Sequence, residues 1–100
     1  MNIIIAGCGK VGANLARKLA AEGYDLTMID SNQAVLESSM ERYDVITVQG
    51  NCASKQVLLQ AGVLDADLLI AVTGADEINL LSCTTAHGLN QIWLTAHITV

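Results

Sequence analysis

Hydrophobic positions along this chain switch repeatedly between two spacings. Short, nearly continuous apolar runs predict five buried strands, at residues 2–6, 26–29, 45–48, 68–72 and 92–99. Between these runs, apolar residues spaced three or four apart predict four helices, at residues 10–21, 32–42, 55–61 and 77–87. The first helix is expected to bury Val11, Leu15 and Leu19. Gly23 and Gly62 follow predicted helix ends, where a left-handed cap is expected.

Strands and helices therefore alternate along the whole sequence, which is typical of an α/β protein. Short connections between alternating elements predict a parallel sheet with helices on both faces, because each crossover between parallel strands is right-handed. The expected architecture is a Rossmann-like, doubly wound, three-layer α/β/α fold with strand order 3-2-1-4-5. With 100 residues the chain has the length of one domain, expected over 1–100. Folds of this kind usually continue to a sixth strand, so we expect a fragment of a longer chain.

Composition narrows the classes of function. Hydrophobic residues make up 52% of the chain and charged residues 15%, which excludes a disordered segment. The net charge is −5 and Lys and Arg form no block, so neither nucleic acid binding nor a basic membrane-surface helix is expected. The apolar run 68–72 is far shorter than the ~20 residues that cross a bilayer. Three Cys without a CxxC pair indicate a reduced, cytosolic protein rather than a disulfide framework.

A glycine-rich segment directly follows the first predicted strand and opens the first predicted helix. It has the spacing GxGxxG and consists of Gly7, Cys8, Gly9, Lys10, Val11 and Gly12. In this context Gly7 permits a tight turn, Gly9 lets the backbone approach a pyrophosphate, and Gly12 lets the helix pack closely on the strand. The helix N-terminus offers its N–H groups to the phosphates. The segment predicts a dinucleotide site; the alternative is a glycine turn that binds nothing.

An acidic residue stands at the end of the second predicted strand. Asp30 lies 18 residues after Gly12, close to the ~20 expected of an acid that binds both ribose hydroxyls. Its carboxylate would repel a 2′-phosphate, and no Arg follows in the turn that begins at Ser31, so we expect NAD(H) rather than NADP(H). Ser31 is counted with the same site. The alternative is that Asp30 only caps the second helix, for which Ser31 and Asn32 are also available.

Two later loops are expected at the same edge of the sheet, since the carboxyl ends of parallel strands meet there. After the third strand, Asn51 is expected to hydrogen-bond the adenine and the small Cys52 to line its slot. The alternative is that this loop is only an N-terminal cap. After the fourth strand, Thr73 and Gly74 are expected to approach the ribose or the pyrophosphate. Within the fourth helix, Asn79 is expected to tie that loop down.

The residues that a catalytic centre needs are not apparent. Neither His87 nor His97 is predicted beside the glycine-rich segment, and the Cys and His residues do not have metal-ligand spacing. We therefore expect no catalytic role and no metal. Cys8 lies at a helix N-terminus, which can lower a thiol pKa, so redox sensing is an alternative. Two further interpretations stay open: the cofactor-binding domain of an NAD-dependent oxidoreductase whose catalytic domain is missing, and a structural assembly domain with a degenerate site.

Several segments match one known family in combination. They are residues 1–12, 30–32, 48–51 and 57–73, followed by Asp76, Glu77 and Asn79. On these motifs the chain resembles, over roughly residues 1–89, the N-terminal nucleotide-binding domain of TrkA-type regulators of bacterial potassium uptake. This domain is also called the RCK or KTN domain.

Two segments depart from the pattern of that family. Many members have Gly-Asp after the third strand, where this chain has Gly50 and Asn51. Residues 90–100 contain Trp93, His97 and Val100 but no Arg, whereas the family usually has a basic fifth strand. Ligand contacts from the fifth strand are therefore not carried over to this chain.

The resemblance implies a regulatory subunit rather than an enzyme. Domains of this family are cytoplasmic and assemble as dimers or larger rings beneath a membrane potassium channel or transporter subunit. They bind NAD(H), and in some relatives ATP or ADP, and the bound ligand changes the shape of the assembly. For this chain the resemblance implies a homo-oligomer peripheral to the inner face of the membrane, without insertion into it. It also implies that the fourth helix and the last strand contact another subunit.

Overall fold

Within residues 1–96, which the computed structural model describes, five strands form a central parallel sheet. The strands are β1 (Asn2–Ala6), β2 (Asp25–Asp30), β3 (Ile46–Gln49), β4 (Leu68–Ala71) and β5 (Trp93–Ala96). Each neighbouring pair is parallel, and the order β3-β2-β1-β4-β5 confirms the predicted arrangement. The sheet therefore reverses its direction of growth between β1 and β4, where open α/β sheets bind ligands.

Four α-helices and one 3-10 helix connect the strands in this part of the chain. They are α1 (Lys10–Ala21), α2 (Gln33–Arg42), α3 (Lys55–Gln60), the 3-10 helix Val63–Asp65, and α4 (Asp76–Leu89). Residues of α1 and α2 pack in one apolar cluster, and residues of α3 and α4 pack in a second cluster. The two clusters lie on opposite faces of the sheet, which confirms the three-layer architecture.

Strand β1 shows why the chain is so apolar. Ile3 and Ile5 belong to the cluster with α1 and α2, whereas Ile4 and Ala6 belong to the cluster with α3 and α4. All four side chains are at most 2% exposed. A central parallel strand is buried on both faces, so every position along it favours an apolar residue.

The buried face of α1 differs from the prediction. Val11 is 49% exposed, and the fully buried positions of the helix are Gly12 and Ala16. Leu15 and Leu19 pack at the border of the cluster as partly buried residues. The helix approaches the sheet through its smallest residues, because the first turn has to lie against the backbone of the preceding loop.

Helix and strand ends, other than the end of β5, agree with the predictions to within two residues. Gly88 was expected just beyond the fourth helix but lies inside α4, which ends at Leu89. The side-chain amide of Asn90, the next residue, donates to the carbonyl oxygens of Val63 and Leu64. These contacts hold the chain after α4, so a glycine is not needed there. The predicted strand 92–99 is seen as β5, and its residues from 97 onward lie outside the described part.

The two predicted left-handed caps are confirmed. Gly23 has a φ of 85° and Gly62 a φ of 83°, and each directly follows the C-cap residue of a helix. Both positions need a backbone conformation that L side chains rarely adopt. They let α1 turn back into β2 and α3 turn into the 3-10 helix.

Candidate nucleotide-binding site

A cleft of about 570 Å³ lies at the carboxyl edge of the sheet, over the ends of β1, β2, β3 and β4. Eight of the twelve predicted site residues line it: Gly7, Gly9, Asp30, Ser31, Asn51, Cys52, Thr73 and Gly74. They come from four different loops, which the parallel topology brings to one edge. The structure therefore gathers most of the candidate residues at one place.

The other four predicted residues do not line the cleft. Cys8 is buried beneath the loop, at 3% exposure. Lys10 and Val11 lie exposed on the first turn of α1, and Gly12 is buried under that turn. These positions contribute backbone to the start of the helix rather than side chains to the wall of the cleft.

The three glycines of the GxGxxG segment have different surroundings. Gly7 has a φ of 111°, and a Cβ there would lie 2.9 Å from the backbone nitrogen of Thr73. A Cβ at Gly12 would overlap the carbonyl oxygen of Gly7. At Gly9, by contrast, no atom lies within 4 Å of the Cβ position. Gly7 and Gly12 are therefore required by close packing inside the protein, whereas Gly9 opens onto space in the cleft.

The N-terminus of α1 faces this open space without a side-chain cap. Gly9 is the N-cap residue and has an extended backbone, with φ −70° and ψ −163°. No side chain accepts a hydrogen bond at this end of the helix. N–H groups at the start of a helix, together with the positive end of its dipole, form a site that favours phosphate.

Asp30 joins the glycine loop to the turn after β2. Its Oδ2 accepts a hydrogen bond of 2.8 Å from the backbone N–H of Cys8, and its Oδ1 accepts one of 2.8 Å from the backbone N–H of Asn32. The N-cap of α2 is Asn32, whose side chain accepts from the N–H of Ala34 at 3.0 Å. Asp30 thus is not the cap of α2, and its carboxylate lies in the cleft wall beside the glycine loop.

The loop after β3 is shaped by local hydrogen bonds. Asn51 Oδ1 accepts from the N–H of Ala53 at 2.9 Å, and Ser54 is the N-cap of α3. Cys52 is 4% exposed, and its carbonyl oxygen accepts a hydrogen bond of 2.8 Å from Ser82 Oγ on α4. The loop therefore has a capping turn of its own and at the same time borders the cleft.

The loop after β4 is held by Asn79, as expected. Asn79 Oδ1 accepts from the N–H of Thr73 at 2.8 Å and from its hydroxyl at 2.6 Å. Asn79 Nδ2 donates to the carbonyl oxygen of Thr73 at 3.2 Å. Since the asparagine is 0% exposed, this network fixes Thr73 from inside the protein.

Sequence reasoning missed five further lining residues: Ile29, Gly50, Val72, Ala75 and Ile78. Four of them adjoin predicted site residues, so their place in the chain was a usable signal. Ile78 lies in the first turn of α4, and no local signal distinguishes it from a core residue. The isoleucines and the valine give the cleft apolar surface, which is suited to a planar ring.

Electrostatically, the cleft offers one carboxylate and helix dipoles. Of the lining residues in the described part of the chain, Asp30 is the charged one. Burial, together with the nearby Asp30 carboxylate, raises the pKa of the Cys8 thiol to about 12. Desolvation thus acts against the alternative of a thiol pKa lowered by the helix N-terminus. Burial also raises the pKa of Cys52.

Neither a metal centre nor a membrane span is seen in residues 1–96. No three His, Cys, Asp or Glu side chains there are grouped so that they could hold a metal ion. None of the helices in that range is long and apolar enough to cross a bilayer.

Comparison with known proteins gives related sequences. The chain is 44% identical over 89 residues to the Trk system potassium uptake protein TrkA of Haemophilus influenzae, and 47% identical to that of Halomonas elongata. Each alignment covers 89% of this chain but only 19% and 20% of the relatives. The chain thus spans about a fifth of the length of these two relatives.

Solved structures with the same fold hold nucleotides. The Shewanella denitrificans Kef CTD in its AMP-bound form is 30% identical, with a TM-score of 0.80 over 94% of this chain and 57% of that one. The GsuK channel bound to NAD is 25% identical, with a TM-score of 0.82 over 93% of this chain and 17% of that one. The TrkA-N domain family model matches residues 3–99, and so reaches beyond the region 1–89 of the resemblance. This chain therefore belongs to the TrkA-N domain family.

Proposed function

We propose that this chain is a regulatory NAD(H)-binding domain of a Trk-type potassium uptake system. One observation carries the proposal: the glycine loop and the Asp30 carboxylate meet at one cleft, where Gly9 faces open space. The related sequences named as Trk potassium uptake proteins support the same assignment. They also favour it over the cofactor-binding domain of an NAD-dependent oxidoreductase.

The shape and chemistry of the cleft fit a nucleotide that contains adenosine. The uncapped N-terminus of α1 would hold the phosphate, and Asp30 would accept from the ribose hydroxyls. Ile29 and Cys52 would border the adenine, with Asn51 at its edge. The relatives with bound AMP and NAD support this class of ligand. Within it we propose NAD(H) as the ligand, with ATP or ADP as the alternatives.

The proposed role is ligand sensing without catalysis. A bound nucleotide shifts a conformational equilibrium only if it binds one arrangement of the assembly more tightly than another. We place the domain on the cytoplasmic side, attached to a membrane potassium transporter or channel subunit and paired with further copies of itself. Residues 1–100 would then act as one nucleotide-binding domain of that assembly.

Thermal unfolding of the chain with NAD+, NADH, NADPH, AMP, ADP and ATP tests the nucleotide site. A ligand at 100-fold excess over its Kd adds about 2.7 kcal/mol to the free energy of unfolding, which raises Tm by roughly 10–20 °C in a domain of this size. NAD+ or NADH is expected to give a larger shift than NADPH. The proposal fails if calorimetry detects no binding of any adenine nucleotide at millimolar concentration.

A further inference from the structure

Helix α4 carries two fully buried polar side chains that serve different loops of the cleft. Asn79 and Ser82 are both 0% exposed. They are three residues apart and so lie on the same face of the helix. Asn79 bonds to the loop after β4, and Ser82 bonds to the loop after β3. One helix thus contacts both the loop after β3 and the loop after β4, and both loops line the cleft.

The contact of Asn79 with Thr73 involves both ends of the amide. Asn79 Oδ1 accepts from the Thr73 N–H and hydroxyl, and Asn79 Nδ2 donates to the Thr73 carbonyl oxygen. The Thr73 nitrogen lies 2.9 Å from where a Cβ of Gly7 would stand. The asparagine therefore also sets how closely the loop after β4 approaches the glycine loop.

The contact of Ser82 is a single buried hydrogen bond over a long separation in sequence. Ser82 Oγ donates to the Cys52 carbonyl oxygen at 2.8 Å, across 30 residues of chain. A buried hydroxyl or carbonyl group without a partner is costly, so the bond fixes the distance between α4 and this loop. Thr84 offers a contrast on the same helix: its hydroxyl donates to the carbonyl oxygen of Leu80, within α4 itself.

We propose that Asn79 and Ser82 are positioning residues that couple the nucleotide cleft to helix α4. The inference rests on the proposed function and adds to it the contacts through which a bound nucleotide would act on α4. A nucleotide that displaces Thr73 or Cys52 pulls on the face of α4 that points into the protein. The outward face of the same helix carries Leu80 and Leu81, which are 53% and 52% exposed. Occupancy of the cleft therefore changes the position of this apolar surface.

Two matched variants separate the two contacts. Ser82→Ala removes the hydroxyl and introduces alanine, which helices favour. Asn79→Asp keeps the shape of the side chain but replaces the Nδ2 donor. Thr84→Ala is the control, because it removes a hydroxyl of α4 that contacts no loop. If Asn79→Asp does not fold, Thr73→Val takes its place in the exchange experiment, where it removes the hydroxyl that bonds to Asn79 and to the N–H of Ala75.

Amide hydrogen exchange of the 100-residue chain without ligand gives the first readout. Ser82→Ala is expected to speed exchange at residues 51–54 and not at 73–75. Asn79→Asp is expected to do the reverse, and Thr84→Ala to change neither loop. Equal acceleration of both loops by either variant, or no acceleration, overturns the inference. This readout needs no nucleotide, so it stands apart from the proposed function.

Calorimetric titration with AMP and with NAD+ gives the second readout. Ser82→Ala is expected to weaken both ligands by similar factors, roughly 3- to 10-fold, because its loop borders the adenosine that they share. Asn79→Asp is expected to weaken NAD+ more than AMP, since Thr73 is expected near the pyrophosphate. Identical AMP-to-NAD+ ratios in the wild type and both variants overturn the inference. If the wild type binds neither ligand, the proposed function fails instead.

Discussion

The backbone N–H of Cys8 donates a hydrogen bond of 2.8 Å to Oδ2 of Asp30. The acid expected to bind ribose thus already holds the glycine loop against the end of β2. Its second oxygen accepts from the N–H of Asn32 at 2.8 Å. A carboxylate has about four acceptor positions, so two backbone donors leave room for the ribose hydroxyls. Asp30 therefore fixes the conformation of the glycine loop and, in the proposed function, selects the ligand.

Asp30→Ala is expected to change affinity and stability together. Loss of the carboxylate removes the acceptor for the ribose and the repulsion of a 2′-phosphate, so NAD(H) affinity falls and its advantage over NADPH narrows. Loss of the bonds to Cys8 and Asn32 lowers the free energy of unfolding by about 1.5–3 kcal/mol. Calorimetry with NADH and NADPH measures the first effect, and urea unfolding measures the second.

The control for this variant is Asp25→Ala. Asp25 begins the same strand at the opposite edge of the sheet and is exposed. Its substitution is therefore expected to leave unchanged both NADH affinity and the discrimination between NADH and NADPH. Unaltered discrimination between NADH and NADPH in Asp30→Ala would count against the ribose role.

Gly9→Val is expected to lower mainly ligand affinity, whereas Gly12→Ala is expected to lower mainly stability. Gly9 has an extended backbone and no neighbour within 4 Å of a Cβ, so Gly9→Val fills the space for a phosphate without a clash. It costs only about 0.5–1 kcal/mol of stability, because valine is a poorer N-cap residue than glycine. NAD(H) affinity should fall at least about tenfold, since a bulky group displaces the ligand from the N–H groups. In Gly12→Ala the new methyl meets the carbonyl oxygen of Gly7, and overpacking lowers the free energy of unfolding by about 1–3 kcal/mol or more.

Melting curves and NADH titrations of both variants check this pair of outcomes. Gly88→Ala is the matched control, because Gly88 is exposed on α4, far along the chain from the cleft loops, with no neighbour near its Cβ. A Gly9→Val protein that binds NADH normally would refute the assignment of the phosphate to this loop.

The strand order could be predicted because few topologies satisfy the pattern. Apolar runs that alternate with helices require a parallel sheet, and right-handed crossovers with short connections leave a small set of orders. The face of α1 could not be predicted in the same way. Large apolar residues such as Val11 were expected inside, but close packing of Gly12 on Gly7 rotates the small residues toward the sheet. Backbone contact thus took precedence over side-chain size.

Those parts of the candidate site were predicted whose role can be inferred from residues that are close together in the sequence. Glycine spacing and an acid at a strand end are visible in the sequence, and so are the loops that follow each strand. The bond from Ser82 to the Cys52 carbonyl was not visible, because a serine inside a helix has many possible acceptors and only tertiary packing selects one. Ile78 was missed for a related reason, since an apolar residue in a helix is normally interpreted as part of the hydrophobic core.

Alkaline pH is expected to destabilise the protein through its buried thiols. Burial and the nearby Asp30 carboxylate raise the pKa of Cys8 from 9.0 to about 12 in the folded chain. Between these values the unfolded chain binds fewer protons than the folded chain, so the free energy of unfolding falls as pH rises above about 9. Burial raises the pKa of Cys52 and Cys83, which adds to the effect in the same direction.

Urea unfolding at pH 7, 9 and 10.5 measures this dependence. The comparison is between the wild type and Cys8→Ala, whose stability should fall less steeply above pH 9. Alkylation of Cys8 by iodoacetamide at pH 8 should be much slower than that of a free thiol. Alkylation at the rate of free cysteine would show that the thiol is accessible and would also revive the redox interpretation.

The outward face of α4 is expected to contact another copy of the chain. Leu80 and Leu81 are adjacent and about half exposed, so burial of the remaining surface of each leucine would stabilise an interface by about 0.8–1.5 kcal/mol. The double substitution Leu80→Lys/Leu81→Lys is therefore expected to convert an oligomer into a monomer, as measured by light scattering across a concentration series. Leu64→Lys is the control, since Leu64 is 59% exposed in the 3-10 helix, outside α4. A wild-type mass that stays monomeric at high concentration, or an equal loss of assembly in the control, contradicts this contact.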